Sequence, residues 1–267
     1  MTPIISWTLR QKRNATVWWC IGIISFVFLT LIFYPTIRDQ SVQLNKSFDN
    51  LPATAKQLFT DTSDLFSPIG YLSSQMFYLM MPLLLGVMAI GQGASLIGRE
   101  ERDSTIELLL SRPISRGHLL LAKAAAGALT VLVAGVIGTG FTVLMVNLVN
   151  LDVAVRFIVQ TDAAVILMAL NFGALALLMT ALGRRGRGLA IGVPAVYALG
   201  GYILVSMASS VEWLRWPAKL FPFNYYHSSE LLRGTYNWAN ALYFVAVIMV
   251  CMVVAWLAFR RRDLLSS

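Results

Sequence analysis

Six long apolar segments constrain this chain more than any other feature of its sequence. A helix that crosses the hydrocarbon core of a bilayer needs about 20 mostly apolar residues. Only 13% of the residues are charged and 57% are hydrophobic, whereas soluble domains carry about 25% charged residues. We therefore expect an all-α polytopic membrane protein that forms a single transmembrane domain over 1–267. Its six predicted transmembrane helices are 17–35, 75–98, 119–151, 162–183, 188–210 and 238–259.

The basic residues cluster at alternate ends of these segments. Fourteen Lys and Arg residues fall on one side of the membrane and seven on the other, and eight of the thirteen acidic residues fall on the second side. Because short loops rich in Lys and Arg stay in the cytoplasm, the first side is predicted to be cytoplasmic, with both termini inside. The external segments are then 36–74 and 211–237, and aromatic residues crowd the second of them.

Two further segments have predicted positions relative to the membrane. Residues 1–16 place apolar side chains ahead of a basic cluster, which predicts an N-terminal interfacial helix. The third apolar segment is longer than a membrane requires, so its first turns around Lys123 are expected to enter the cytoplasm or to snorkel. Asp162 is expected at the outer boundary of the fourth span. No predicted span then has an ionisable residue near its middle, which argues against an ion-driven carrier.

The sequence lacks the signatures of several kinds of active site. It contains no G-x-x-x-x-G-K-[ST] loop, so we expect no nucleotide binding or hydrolysis by this chain. Two cysteines and two histidines show no metal-ligand spacing, and we predict neither a metal site nor a catalytic residue. The basic residues form no stripe with interleaved aromatics, so nucleic acid is not an expected partner.

Apolar side chains of the second span are candidates for a substrate path. Phe77, Met81 and Met88 could line an adaptable apolar route, because methionine fills irregular space. A stripe that faces the core or the lipid explains the same residues more readily.

The most charged stretch of the chain is 99–117, REERDSTIELLLSRPISRG. In one interpretation a single helix from Arg99 to Ser111 places Glu100, Asp103 and Glu107 on one face, which a basic partner would accept. In the other, Ser104 caps a shorter helix, Glu107 completes the capping box, and Pro113 ends the helix. Both interpretations give a short cytoplasmic helix with exposed leucines, which is typical of a docking surface.

The order of motifs resembles a known family. Pro82-Leu83-Leu84, a glycine-rich stretch through Gly91 and Gly93, Glu100-Glu101, Ser104-Thr105, Glu107-Leu108-Leu109-Leu110 and Pro113-Ile114-Ser115-Arg116 follow one another, and Leu220-Phe221-Pro222-Phe223-Asn224-Tyr225-Tyr226 comes before the last span. This order resembles the permease subunits of ATP-binding cassette (ABC) type-2 exporters, and most of all those of bacterial efflux systems.

The resemblance implies a mechanism and partners. Two membrane subunits, either two copies of this chain or this chain with a homologous permease, would sit on two ATP-binding subunits that hold ATP and Mg²⁺. The 99–117 segment would be the coupling helix that moves with the ATPase. The resemblance places these residues at the ATPase contact: Glu101, Thr105, Glu107, Leu108, Arg112, Pro113 and Arg116.

The sequence thus predicts the permease of an ATP-driven exporter in the bacterial cytoplasmic membrane. Its uncharged spans favour a lipophilic or amphipathic substrate. Two alternatives stay open at this point: a membrane anchor or assembly subunit that moves no substrate, and an ion-driven carrier.

Overall fold

The described part of the chain is almost entirely helical. A computed structural model of the protein describes residues 2–40, 60, 65–102, 115–208 and 210–261. In these residues there is no β-strand, and the helices are α1 (Thr2–Ile32), α2 (Tyr34–Asp39), α3 (Pro68–Leu72), α4 (Met80–Arg102), α5 (Arg116–Leu148), α6 (Val155–Ala181), α7 (Arg184–Leu189), α8 (Gly192–Ala208), α9 (Arg215–Ala218), α10 (Ser228–Arg233) and α11 (Ala241–Arg261).

The prediction of an all-α polytopic membrane protein is confirmed. Within the described residues, five stretches are long and apolar enough to cross a membrane, and they correspond to α1, α3 with α4, α5, α6 and α11. The remaining apolar helix, α8, has 17 residues. At 1.5 Å per residue it is roughly 25 Å long, slightly shorter than the hydrocarbon core.

Three helices differ in extent from the predicted segments. α1 is one continuous helix, whereas the sequence analysis predicts an interfacial helix at 1–16 and a separate span at 17–35. The physical reason is that neither proline nor glycine occurs between Pro3 and Gly22, so nothing interrupts the helix. α6 begins at Val155 instead of 162, and the predicted 188–210 span is preceded by the separate short helix α7.

α6 is the central helix of the bundle. It packs against α4, α5, α11 and α8. In its most apolar window 61% of the residues are buried, compared with 22% in α1 and in α11, which lie at the periphery. Most side chains in this window of α6 therefore face protein instead of the outer surface of the bundle.

α4 and α6 approach each other closely through glycines. A Cβ atom added to Gly93 would lie 2.3 Å from the carbonyl oxygen of Gly173, which is closer than atoms can come. On the facing side, a Cβ on Gly173 would meet the Ala89 carbonyl oxygen at 3.1 Å. Small residues permit such backbone contact in a membrane, where van der Waals packing drives helix association.

The entrance to α4 is a π-helical turn, Ser73–Phe77. Side chains from the 211–238 region form hydrogen bonds to this turn. The Tyr226 hydroxyl donates to the Phe77 carbonyl at 2.8 Å, and the Ser73 and Ser228 hydroxyls are 2.7 Å apart. Pro82, which has no N–H, lies in the first turn of α4 and prevents a regular helix from continuing through this point. These bonds attach α4 to α10.

Candidate functional site

The predicted coupling segment lies between the end of α4 and the start of α5. Thr105, Glu107, Leu108, Arg112 and Pro113, and both interpretations of Ser104 and Glu107, lie outside the described residues. Glu101 belongs to the last turn of α4, and Arg116 is the first residue of α5. The Ser115 hydroxyl accepts a hydrogen bond from the backbone N–H of His118 at 3.3 Å, so α5 has a capped start. The structure thus describes the two helices that lead into and out of the segment.

Three neighbouring helices hold the last turns of α4 through polar side chains. The Lys12 ammonium group on α1 donates to the Ser95 hydroxyl, and the Lys123 ammonium group on α5 donates to the Leu96 carbonyl at 2.8 Å. The Thr180 hydroxyl on α6 donates within its own helix, to the Leu177 carbonyl at 2.8 Å, and lies 3.4 Å from the Gly93 carbonyl as a weaker third contact. We call Lys12, Lys123 and Thr180 the α4 clamp.

Lys123 is buried, contrary to the expectation that it projects or snorkels. Its exposed fraction is 2%, because α1 and α4 pack over the start of α5. Removing an ammonium group from water costs several kcal/mol unless hydrogen bonds replace the solvent. Here the Leu96 carbonyl accepts one such bond, and the Trp7 ring lies 5.9 Å from the ammonium group, within cation–π range.

Asp162, which the sequence analysis places at the outer boundary of its span, is also buried. Because α6 begins at Val155, Asp162 lies seven residues into the helix, roughly 10 Å from its start. Its exposed fraction is 1%. Within the described part of the chain neither carboxyl oxygen has a hydrogen bond of good geometry, because the nearby Thr139 hydroxyl donates its hydrogen to the Gly135 carbonyl instead. The helix begins before the predicted span because Arg156 and Gln160, which lower the local hydropathy, occupy the first turns of the same continuous helix.

Asn171 is a second buried polar residue of α6 that the sequence analysis does not single out. It is fully covered, and neither its amide oxygen nor its amide nitrogen has a partner among the described residues. A buried amide without partners normally costs about 1–3 kcal/mol. The signal was present in the sequence as the single amide in the middle of an apolar run, but only the packing of α6 reveals its complete burial.

The candidate substrate-path residues lie in the hydrophobic core. Phe77, Met81 and Met88 are each at most 1% exposed. All three belong to the main cluster of buried side chains, which matches the core interpretation. A substrate path along them stays a prediction.

A larger groove lies elsewhere, between α5 and α6. Its volume is about 720 Å³, and we call it the α5–α6 groove. Apart from Thr139, its lining residues are aliphatic, glycine or aromatic: Leu132, Val136, Thr139, Gly140, Val143, Val159, Ala163, Ile166, Leu167, Leu170 and Trp238. A smaller cavity of about 110 Å³ lies where α4, α5, α6 and α11 meet, beside Gln92.

Comparison with known proteins decides the family. The family model described as ABC-2 family transporter protein matches residues 4–264, which is nearly the whole chain. The chain belongs to the ABC-2 transporter family. No curated protein matches it significantly.

Family membership identifies the role of this ABC-2 chain in a transporter. It is a multi-pass membrane protein and the permease component of an ABC transporter, and the family implies an ATP-binding cassette subunit as its partner. In this ABC-2 permease, the α4 clamp lies on the helix that leads directly into the segment predicted to contact that partner.

Proposed function

We propose that this ABC-2 permease exports a lipophilic or amphipathic substrate with energy from ATP hydrolysed on a separate subunit. The observation that carries the proposal is the α4 clamp. A force applied to the 103–114 segment would act on the end of α4, and the clamp bonds that end to α1 and α5 and brings it into contact with α6. Rigid helices connected in this way pass a local displacement to the whole bundle.

The proposed orientation places both termini and the 103–114 segment in the cytoplasm of a bacterial cell, with the chain in the cytoplasmic membrane. The distribution of Lys and Arg between the two sides supports it. In this orientation the α4 clamp lies toward the cytoplasm, and the aromatic 211–238 region lies at the outer surface.

The proposed assembly contains two permeases and two ATPase subunits. ATP and Mg²⁺ belong to the ATPase subunits, and this chain supplies no catalytic residue of its own. The permease pair is formed with a second copy of this chain or with a homologous permease. In the family's arrangement Glu101, Thr105, Glu107 and the residues up to Arg116 would contact the ATPase.

Affinity purification from the native host tests this proposal. The tagged chain is extracted in a mild detergent, and co-purifying proteins are identified and quantified by mass spectrometry. We expect a stoichiometric ATP-binding cassette protein that is lost when Glu101 and Glu107 are both replaced by Lys. The charge-matched control replaces the exposed residues Asp39 and Glu212 by Lys, and it should retain the ATPase.

Two outcomes would contradict the proposal. A folded wild-type chain that purifies without an ATPase would favour the membrane-anchor alternative. Equal loss of the ATPase in the double variant and in its control would show that total charge, and not the 103–114 segment, governs the association.

An ion-driven carrier is a second candidate because Asp162 is buried within an apolar helix. Ionisable side chains inside a membrane are costly and commonly mark ion or substrate pathways. Purified chain in proteoliposomes distinguishes the two candidates. Substrate accumulation driven by a proton or sodium gradient without ATPase subunits would favour the carrier, and strict dependence on the ATPase and ATP would favour the exporter.

A further inference from the structure

Asp162 lies directly behind the wall of the α5–α6 groove. The next residue in the chain, Ala163, lines the groove. Thr139 on α5 also lines the groove, and its hydroxyl lies close to the Asp162 carboxyl group. The Thr139 side chain therefore lies between the Asp162 carboxyl group and a groove of about 720 Å³.

The nearby hydroxyl groups do not neutralise this carboxyl group. Thr139 donates its hydrogen to the Gly135 carbonyl at 3.0 Å, and Thr161 donates to the Phe157 carbonyl at 2.7 Å. No basic side chain in the described part of the chain forms an ion pair with Asp162. An unpaired ionised carboxylate is strongly disfavoured away from water, so this position requires a neutralising partner, which is either a proton or a cationic group.

The groove has the size and the lining that suit a lipophilic cation. Pockets for drug-sized ligands range over roughly 300–1,000 Å³, and the volume of this groove lies within that range. Its walls are aliphatic, and Trp238 contributes an indole ring, the side chain that binds cations best through its π face. An aromatic ring, an apolar wall and a nearby carboxyl group together favour a positive charge carried on a hydrophobic body.

We infer that the α5–α6 groove binds lipophilic cations and that Asp162 supplies its preference for positive charge. Both carboxyl oxygens are covered in this arrangement, so a bound cation would act on the carboxylate across Thr139. The low dielectric of the interior strengthens such an interaction relative to the same distance in water. The inference deepens the proposed function by naming a substrate class, and it rests on that function only where it treats the bound cation as cargo.

Two ions of nearly equal size and hydrophobicity isolate the effect of charge. Purified full-length chain in nanodiscs is titrated with radiolabelled tetraphenylphosphonium or tetraphenylborate, and binding to empty nanodiscs is subtracted. We expect saturable binding of the phosphonium cation alone. Asp162→Asn should weaken that binding by about tenfold or more, and Asp162→Glu should stay within about threefold of wild type. Asp152→Asn removes an exposed carboxyl group from the turn between α5 and α6, and it should leave binding unchanged.

A groove-filling variant tests the site without altering a charge. A Cβ atom on Gly140 would meet nothing within 4 Å, and Gly140 lines the groove, so Gly140→Leu should fill the groove without disturbing the fold. We expect it to abolish phosphonium binding. Gly22→Leu on α1 is the matched control, since Gly22 also has nothing within 4 Å but lies outside the groove.

Three outcomes would overturn the inference. These are equal binding of the two probe ions, unchanged phosphonium binding in Asp162→Asn, and unchanged binding in Gly140→Leu. If Asp162→Asn does not fold, Gly140→Leu and the comparison of the two ions still decide the question. Because the chain is tested without an ATPase, failure here leaves the affinity-purification result intact, and the absence of an ATPase partner leaves the binding result intact.

Discussion

The Lys123 ammonium group on α5 donates a hydrogen bond of 2.8 Å to the main-chain carbonyl of Leu96 on α4. The lysine is only 2% exposed. This bond joins the two helices that enclose the predicted coupling segment, so it relates the fold directly to the proposed transmission of movement.

Replacing Lys123 by Met should weaken the coupling between substrate and ATP hydrolysis without abolishing basal hydrolysis. Loss of a hydrogen bond from a charged donor should lower the free energy of unfolding by about 1.5–3 kcal/mol. In the complex with its ATPase, substrate-stimulated hydrolysis should fall while basal hydrolysis persists, and Lys123→Arg should restore part of the stimulation. The measurement is ATPase activity with and without substrate.

The matched control for Lys123 is Thr130 on the same helix. Thr130 is also buried, but its hydroxyl bonds within α5, to the Gly127 carbonyl at 2.7 Å. Thr130→Val should therefore leave the stimulation ratio unchanged. Equal loss of stimulated and basal hydrolysis in Lys123→Met would assign the lysine a purely structural role.

Two glycines of α4 provide a test of the contact between α4 and α6. Gly93→Ala places a Cβ atom 2.3 Å from the Gly173 carbonyl oxygen and should destabilise the protein by about 1–3 kcal/mol. The same change at Gly91, which has nothing within 4 Å, should be neutral or stabilise it by up to about 1 kcal/mol. A thiol-reactive dye can follow thermal unfolding, because Cys20 and Cys251 are buried and free. Equal midpoints for the two variants would contradict the close approach.

Adjacent tyrosines test the support of the π-helical turn. Tyr226→Phe removes the buried hydrogen bond to the Phe77 carbonyl and should cost about 1–3 kcal/mol, because that carbonyl loses a donor that water cannot replace. Tyr225→Phe removes an exposed bond of 3.0 Å to the Lys219 carbonyl and should cost less than about 1 kcal/mol. Hydrogen exchange at residues 73–80 should rise in the first variant alone. A rise in both variants would count against a specific role for Tyr226.

Tyr236 should make stability depend on alkaline pH. Burial, and to a smaller extent the nearby Glu230 carboxylate, raise the pKa of its hydroxyl to about 12, above the value of about 10 in an unfolded chain. The folded state thus holds this proton more tightly. Its contribution to stability is complete below pH 10 and is lost as the pH rises toward 12.

The comparison of wild type with Tyr236→Phe isolates this titration from that of the other tyrosines. Below pH 10 the wild type should be the more stable protein, since the Tyr236 hydroxyl donates to the Tyr225 carbonyl at 2.6 Å. Its advantage should shrink between pH 10 and about 12 in thermal unfolding. A difference that stays constant over this range would contradict the raised pKa.

Much of the fold could be predicted from the sequence because hydropathy depends on each segment alone. The long apolar runs predict membrane helices, and five long helices with the shorter α8 are found among the described residues. Boundaries were less predictable where polar residues occur inside a helix. Arg156 and Gln160 obscured the start of α6, and the basic cluster near Arg10 resembled the end of an interfacial helix, although no residue there interrupts α1.

The candidate sites were less predictable because a side chain's neighbours lie far away in the sequence. From the sequence alone, Lys123 is predicted to snorkel. In the structure it donates to the Leu96 carbonyl of α4, which lies 27 positions earlier in the chain. Phe77, Met81 and Met88 could face lipid, a path or the core, and the packing of α4 and of the π-helical turn before it places them in the core.

The sequence by itself determined that this chain is a helical membrane protein of the ABC-2 family, because composition, apolar run length and motif order are properties of the chain alone. Only the tertiary structure decided that α6 is central, that Asp162 is enclosed beside a groove, and that three helices hold the end of α4. The reason is that lipid and protein are equally apolar surroundings for a hydrophobic helix. Hydrophobicity therefore brings a segment into the membrane, whereas close contacts such as that of Gly93 with Gly173 select the helices that pack against it.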